Sequence, residues 1–347
     1  MTKWTIEGTI IAGHAFEAIQ GRLVVEDGII TAIEETDTDA EAIISPTFIN
    51  AHSHIGDSIA KDTGLDLELE ALVAPPDGLK HRLLAEADAS MLIDGMRRSL
   101  RFMEAEGTGA CYDFREGGIE GVQQLREAAD GLMIDAVAFG RGEPSVIAYA
   151  DGYGASGASD ERFETQRLAA SGAEKPFGIH AGEVDSGDIN PALDLEPDFL
   201  VHMIHVEKLH LERVEDAEVP VVCCPRSNLV TGVGLPPIEE LTSRTMVALG
   251  TDNVMLNSPS MLREMELTSK LFDLSPRDVF AMGTAHGAAL LDRPDGVLTE
   301  GAPARYVIFD GASDNLAGHV DPVNSIVRRA CRTDIEEVVL TPIEPEG

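Results

Sequence analysis

Five side chains stand out by type and spacing. His52 and His54 form a His-x-His pair, and His180, His202 and Asp252 follow much further along the chain. Side chains two apart on a strand share a face, so His52 and His54 can aim both imidazoles at one point. Neutral imidazole nitrogens and a carboxylate are donors that divalent zinc or iron accepts, with a further coordination position left for water. Each signal alone has a plainer reading. A His-x-His pair arises easily by chance among 10 histidines, and a lone His180 or His202 is most simply a hydrogen-bonded core residue. Asp252 sits in Thr251-Asp252-Asn253, all of them helix-capping types. What points to chemistry is where the five fall relative to the strands.

The middle of the chain alternates apolar strand-like runs with helix-like segments, the pattern of parallel βα units. The strand candidates are Ile43–Ile49, Gly109–Phe114, Leu132–Phe139, Val146–Tyr149, Phe177–His180, Phe199–His202, Val219–Cys224 and Thr245–Gly250. Helices are expected between them, among others over Ala89–Glu106, Ile119–Ala129, Glu161–Ser171, Lys208–Glu215 and Pro259–Phe272. Eight strands predict an α/β fold, a (β/α)8 TIM barrel, whose strand C-termini converge on one mouth. His52 and His54 follow the first strand, His180 ends the fifth, His202 ends the sixth and Asp252 follows the eighth, so the five would meet there. The fourth strand is the least marked, because Gly-rich sequence follows it closely.

Both ends of the chain read as short strands. Trp4 to Ile11 alternates, Gly21 to Val25 is β-rich, and Asp27-Gly28 before Ile29–Ile33 is a hairpin signal. Arg305–Phe309, Ser325–Arg329 and Glu337–Leu340 are strand candidates near the other end. The termini are therefore expected to meet in one small β-sandwich domain. Residues 1–44 and 299–347 would form it, with the barrel over 45–298.

The run Ser45-Pro46-Thr47-Phe48-Ile49-Asn50-Ala51-His52-Ser53-His54 resembles the opening signature of the amidohydrolase superfamily, in its cytosine deaminase-like and chlorohydrolase-like branch. The likeness continues in Val201-His202-Met203-Ile204-His205, Cys224-Pro225-Arg226-Ser227-Asn228-Leu229, Leu249-Gly250-Thr251-Asp252 and Gly283-Thr284-Ala285-His286-Gly287-Ala288-Ala289. With the terminal sheet it covers nearly the whole chain. The resemblance implies that His52, His54, His180 and Asp252 hold one divalent metal ion, zinc or iron. His180-Ala181-Gly182-Glu183 is also similar to the matching segment of adenosine deaminases, which makes Glu183 the proton shuttle. His202 matches the family histidine that hydrogen-bonds the metal-bound water, while His205 is better read as structural. No lysine stands at the end of the fourth strand, so the carbamylated-lysine bridge of two-metal members is not expected.

The implied reaction is consistent with elementary chemistry. A bound divalent cation lowers the pKa of its water to about 7. Asp252 and His202 would orient the resulting hydroxide and take up its proton, and Glu183 would pass a proton to a ring nitrogen and then to a leaving amine. Attack on an amidine-like carbon with loss of ammonia is deamination of an aminated heterocycle: a purine, pyrimidine, pterin or related nucleoside. The same site could instead hydrolyse a cyclic amide or a carbon–halogen bond. A barrel kept only as a scaffold would be expected to have lost ligands, and none is lost.

Several other motifs carry less. Gly152-Tyr153-Gly154-Ala155-Ser156-Gly157 fits G-x-G-x-x-G but lies far from a first βα unit, and is better read as a loop at the barrel mouth than as a dinucleotide site. Pro75-Pro76-Asp77-Gly78-Leu79-Lys80-His81-Arg82 lies in the long excursion after the first strand, where loops shape pockets. Lys80, His81 or Arg82 there, and Arg141 near the end of the third strand, are candidate contacts to a substrate anion, with a solvated loop as the plainer alternative. Met91, Met96 and Met103 share a broad helical face and are expected in the core.

Composition excludes other classes. The 347 residues include 61 Asp+Glu against 26 Lys+Arg, a formal net charge of -35, and 44% of them are hydrophobic, with mean hydropathy of -0.02. That suits a folded chain with a real core, but not one that binds nucleic acid through a basic surface. The acids are spread without a long block, which argues against an acidic tail. Only six of the 26 basic residues are lysine, so the composition is that of a protein built for high salt, of the haloarchaeal kind. Cys111, Cys223, Cys224 and Cys331 are too few for a disulfide framework and read as buried thiols. With no apolar leader after Met1 and no apolar run of about 20 residues, a soluble cytoplasmic protein is expected. Its partner would be a small molecule, with self-association left open. In molar KCl, counterions should screen the mutual repulsion of the carboxylates, raising the melting temperature by about 10 °C or more over dilute buffer. A melting temperature indifferent to salt would rule out the high-salt reading.

Overall fold

β-Branched sequence from both ends of the chain pairs into one sheet. In the computed structural model, which describes residues 2–73 and 77–343, six strands run in the order Ile335–Leu340, Arg305–Asp310, Ala42–Pro46, Lys3–Ala12, Glu17–Glu26 and Ile29–Glu35. All neighbours are antiparallel except Lys3–Ala12 with Ala42–Pro46. The Asp27-Gly28 hairpin forms as its sequence requires, with φ of 49° and 84° at the two turn residues. Ile10, Leu23, Val25, Ile30, Ile44, Tyr306 and Ile308 pack one face of this sheet.

Ser325–Arg329, expected as a strand, is part of the helix Pro322–Arg329. Asp321 caps it by accepting from the Asn324 amide, Pro322 takes the first turn, and Val323, Ile326 and Val327 are buried. That burial repeats every three to four residues, so periodicity overrode the β-branched composition.

The second sheet is parallel. Its order is Val247–Leu249, Val221–Cys223, Phe199–His202, Phe177–Ala181, Gly152–Ala155, Asp135–Gly140, Thr108–Arg115, Phe48–His54, Asp252–Asn253. The first and last members belong to one stretch of chain. Gly250 N–H donates to Cys223 O at 3.0 Å and Thr251 N–H to His52 O at 2.9 Å, so the sheet curls back on itself. Gly250 is required at that approach, because a Cβ there would lie 2.7 Å from the His52 Cβ.

Two strand expectations are corrected here. Ile43–Ile49 is not one strand: Ala42–Pro46 joins the six-stranded sheet, and Phe48–His54 enters the parallel sheet with His52 and His54 inside it. Val146–Tyr149 is no strand either, since Pro144–Ala148 forms a 3₁₀ turn and the strand is Gly152–Ala155. The glycines there are a packing requirement. A Cβ on Gly152 would stand 2.6 Å from the Phe139 ring, and one on Gly154 2.6 Å from the Phe114 ring. The G-x-G-x-x-G run is thus chiefly strand and not a loop, with only Ser156 and Gly157 beyond its end.

By chain contacts the protein divides into two compact units. One contains both termini, Met103–Gly109 and the chain from Ser260; the other contains Asn50–Phe102 and Ala110–Pro259. Met96 and Met103 are buried as expected, whereas Met91 is exposed. Cys111, Cys223 and Cys224 are buried, and Cys331 is exposed. Among the described residues no helix is long and apolar enough to cross a membrane. Pro75 and Pro76 of the excursion lie outside the described residues.

If Gly154 serves packing, Gly154→Ala should lower unfolding stability by about 2–3 kcal/mol through overpacking against Phe114. Denaturant titration in high salt would measure it, and unchanged stability would remove the packing account of the motif.

Candidate active site

The strand Phe48–His54 is buried along its whole length, and its alternation puts His52 and His54 on one face. His180 lies within Phe177–Ala181, His202 ends Phe199–His202, and Asp252 opens Asp252–Asn253. All five converge. The ring centroids of His52 lie 4.9 Å from both His54 and His180, and those of His180 and His202 are 5.2 Å apart. Asp252 Oδ1 lies 3.4 Å from His52 Nε2 and 3.6 Å from His54 Nε2. Ligand atoms of His52, His54 and His180 fall within 4.8 Å of one another, as do those of His52, His202 and Asp252.

Two of these residues bend the backbone into the left-handed region: His202 at φ 78° and Asp252 at φ 57°. Residues without glycine's freedom pay about 1–3 kcal/mol for such conformations, and they cluster where a side chain must be aimed.

Three of the four imidazoles are oriented from behind. His180 Nδ1 meets Ala155 O at 2.8 Å, and His54 Nδ1 meets Phe114 O at 3.0 Å. His202 Nδ1 pairs with the Asn228 side-chain amide at 3.2 Å. Ser227 Oγ donates to Asp252 Oδ2 at 2.6 Å, which leaves Oδ1 facing the histidines. Below the site the rings of Phe114, Phe139 and Phe199 pack together, with Phe114 edge-on to His52 at 4.5 Å. Burial dominates the electrostatics, holding His52 at about 4 and His54 at about 3, so both imidazoles are neutral and able to coordinate.

The donor set suits a divalent ion. His52 is fully buried, and neither of its ring nitrogens has a hydrogen-bond partner among the described residues. Polar atoms left this way are costly unless something else satisfies them. Three imidazoles and a carboxylate are a set that zinc or iron takes.

The group opens on a cavity of about 350 Å³ lined by His54, Lys80, Arg141, His180, Glu183 and His202, among others. Glu183 Oε2 lies 3.6 Å from His202 Nε2, and burial raises the Glu183 carboxyl above its ordinary value despite that neighbour. Of the substrate candidates, Lys80 and Arg141 line the cavity. His81 does not: its Nε2 meets Val73 O at 3.1 Å, and it lines separate hollows. His205 is exposed and also lies outside the cavity lining.

Three participants went unassigned in the sequence reading. Ser227 and Asn228 were quoted only as part of a motif, and their roles depend on a helix start, Pro225–Thr231, that follows the strand Val221–Cys223. Glu116, just after Thr108–Arg115, carries no motif. Its Oε1 lies 2.9 Å from His54 Nδ1, 2.7 Å from Lys80 Nζ and 3.4 Å from Arg141 Nη1, and its Oε2 lies 2.7 Å from Arg115 Nη2.

The amidohydrolase family profile matches residues 43–196 and 190–341, most of the chain. The chain belongs to the amidohydrolase family. It is a hydrolase acting on carbon–nitrogen bonds. It is 36% identical to a putative aminohydrolase of Methanothermobacter thermautotrophicus, covering 93% of each chain. A 5-methylthioadenosine/S-adenosylhomocysteine deaminase of Halobacterium salinarum is 25% identical, over 91% of this chain and 84% of that one. Among solved structures, a zinc-bound adenosine deaminase from Xanthomonas campestris superposes with a TM-score of 0.82 at 17% identity, covering 97% of this chain and 91% of that one. A zinc complex of atrazine chlorohydrolase from Arthrobacter aurescens gives 0.82 at 19%, covering 97% and 93%. The fold of this amidohydrolase is thus shared with enzymes that were crystallised with zinc.

Metal-stripped amidohydrolase should take up close to one zinc or iron ion per chain, and His54→Ala should abolish that uptake. Elemental analysis is the check. An active, chelator-resistant preparation without metal would overturn the ligand assignment.

Proposed function

We propose that this amidohydrolase is an aminohydrolase that releases ammonia from an aminated nitrogen heterocycle: a purine, pyrimidine, pterin or related nucleoside. The observation that carries the reading is that Glu183 stands beside His202 on the cavity that His54, His180 and Asp252 also line. Relatives that are named aminohydrolases and deaminases support it. We read the curled parallel sheet as an eight-stranded barrel in which Asp252–Asn253 continues the eighth strand. The terminal sheet is then the accompanying small β domain of residues 1–44 and 299–347.

In this reading His52, His54, His180 and Asp252 hold one zinc or iron ion. When bound, the ion supplies the Lewis acidity that brings the pKa of a water to about 7. The remaining work falls to the chain's own groups. Ser227 holds one oxygen of Asp252 and so fixes the direction of the other. His202, held through Nδ1 by Asn228, presents Nε2 to the reacting water and to Glu183. Glu183 moves one proton to the ring nitrogen as water adds to the amidine-like carbon. It then takes the proton released by the added hydroxyl as the carbonyl forms and passes it to the exocyclic amine, which leaves as ammonia. The phenylalanine cluster below seals the site from that side, and Arg141 is the cation that faces the substrate.

An ammonia-release screen of the metal-loaded protein across aminated heterocycles, in high salt, tests the reading. Release of chloride or of a ring-opened acid without ammonia would move the chain to the chloro-heterocycle or cyclic-amide hydrolases. With a substrate in hand, Glu183→Gln should fold, keep its metal and lose about 10²–10⁴-fold in kcat, because glutamine keeps the shape but cannot relay a proton. His180→Gln should lose metal and activity together. Near wild-type kcat in Glu183→Gln would place the shuttle elsewhere, and loss of metal would make Glu183 part of the ligand shell.

A further inference from the structure

The excursion after the first parallel strand folds into helices, and one of them, Leu79–Glu86, carries Lys80 into the interior. Lys80 is only 2% exposed. Its ammonium lies 2.7 Å from Glu116 Oε1 and donates to Asn253 Oδ1 at 3.0 Å. Asn253 directly follows Asp252, and Glu116 reaches His54. One buried cation thus ties together the ends of two ligand-bearing segments. Lys80 stands at the cavity wall, but its charge is already matched within the protein.

We propose that Glu116, held in place by Lys80, is a positioning residue for His54, and so for the metal. The proposal rests on His54 being a ligand. His54 Nδ1 lies between two acceptors, Phe114 O at 3.0 Å and Glu116 Oε1 at 2.9 Å. A proton on Nδ1 leaves Nε2 with its lone pair, on the side where Asp252 Oδ1 lies 3.6 Å away. A carboxylate behind a ligating imidazole fixes its tautomer and raises its basicity, which a backbone carbonyl does less strongly. The carboxylate is itself held by two cations, with Lys80 Nζ 2.7 Å from Oε1 and Arg115 Nη2 2.7 Å from Oε2. His180, by contrast, has among the described residues only the carbonyl of Ala155 behind it. His54 is therefore the ligand whose donor strength a charged network sets.

The test keeps the charge balanced. Lys80→Met combined with Glu116→Gln removes one charge of each sign but leaves an acceptor for His54; Lys80→Met combined with Glu116→Leu removes the acceptor as well. Exchanging a buried ion pair for side chains of similar volume is often tolerated. Zinc affinity is read by chelator competition, with the melting temperature of the metal-free proteins as the control. The Leu pair should bind zinc about 10–100-fold more weakly than wild type, and the Gln pair should recover a substantial part of that loss, with both metal-free proteins melting alike. Equal zinc affinity in the two pairs, or wild-type affinity in the Leu pair, would overturn the proposal and leave Phe114 O as the orienting group. The wild-type protein gives an answer that needs no variant. In metal-free protein the His54 Nδ1 proton should resonate far downfield, as imidazole protons bonded to carboxylates do, and an ordinary shift would count against Glu116. A wild-type protein that takes up no zinc would instead defeat the ligand reading itself.

Discussion

Neutral imidazoles and a carboxylate must be held close together, away from water, without neutralising one another. In this protein that constraint governs the surrounding structure. Polar atoms withdrawn from solvent need partners, and three of the four ligand candidates have one behind them: a backbone carbonyl for His180, a carbonyl and a carboxylate for His54, a hydroxyl for Asp252; His52 has none among the described residues. The inward-facing nitrogens then have only one another and whatever ion they share. Phe114, Phe139 and Phe199 fill the space below, and the strand beside them is stripped to glycine at 152 and 154 so that the rings fit. Left-handed backbone at His202 and Asp252 is the local cost of aiming those two side chains.

The sequence made some of this plain and hid the rest, for physical reasons. His52, His54, His180, His202 and Asp252 could be found because strand C-termini converge, so their position along a strand implied their position in space. Glu116, Ser227 and Asn228 touch the same residues through side-chain geometry that no spacing rule encodes. Gly152–Ala155 was missed because glycine is a poor strand former by propensity. Nothing local announces that a bulky ring from a neighbouring strand needs the room. Pro322–Arg329 was missed for the opposite reason, since β-branched content drew attention from a burial pattern with helical period. His81, next to Lys80 in sequence, faces elsewhere because successive residues on a helix point about 100° apart.

The net charge of -35 poses a separate question of where the scarce cations go. Three of them, Lys80, Arg115 and Arg141, gather on the single carboxylate of Glu116. On the surface, molar salt screens charge within about 3 Å, so isolated surface pairs contribute little. A buried cluster is screened far less. These three cations thus sit where ionic strength weakens their pairing least.

The excursion that delivers Lys80 also supplies Leu69, Glu70 and Val73 to the cavity wall, whereas the ligand candidates all come from strands or strand ends. The cavity wall and the cluster of ligand candidates thus draw on different parts of the chain. The wall at 69, 70 and 73 comes from a different stretch of chain than the histidines and aspartate that cluster beside it. Lys80 is the exception. It lies in the same excursion yet is joined through Glu116 to His54, so a change of the pocket wall at Lys80 reaches the histidine cluster through a charged network.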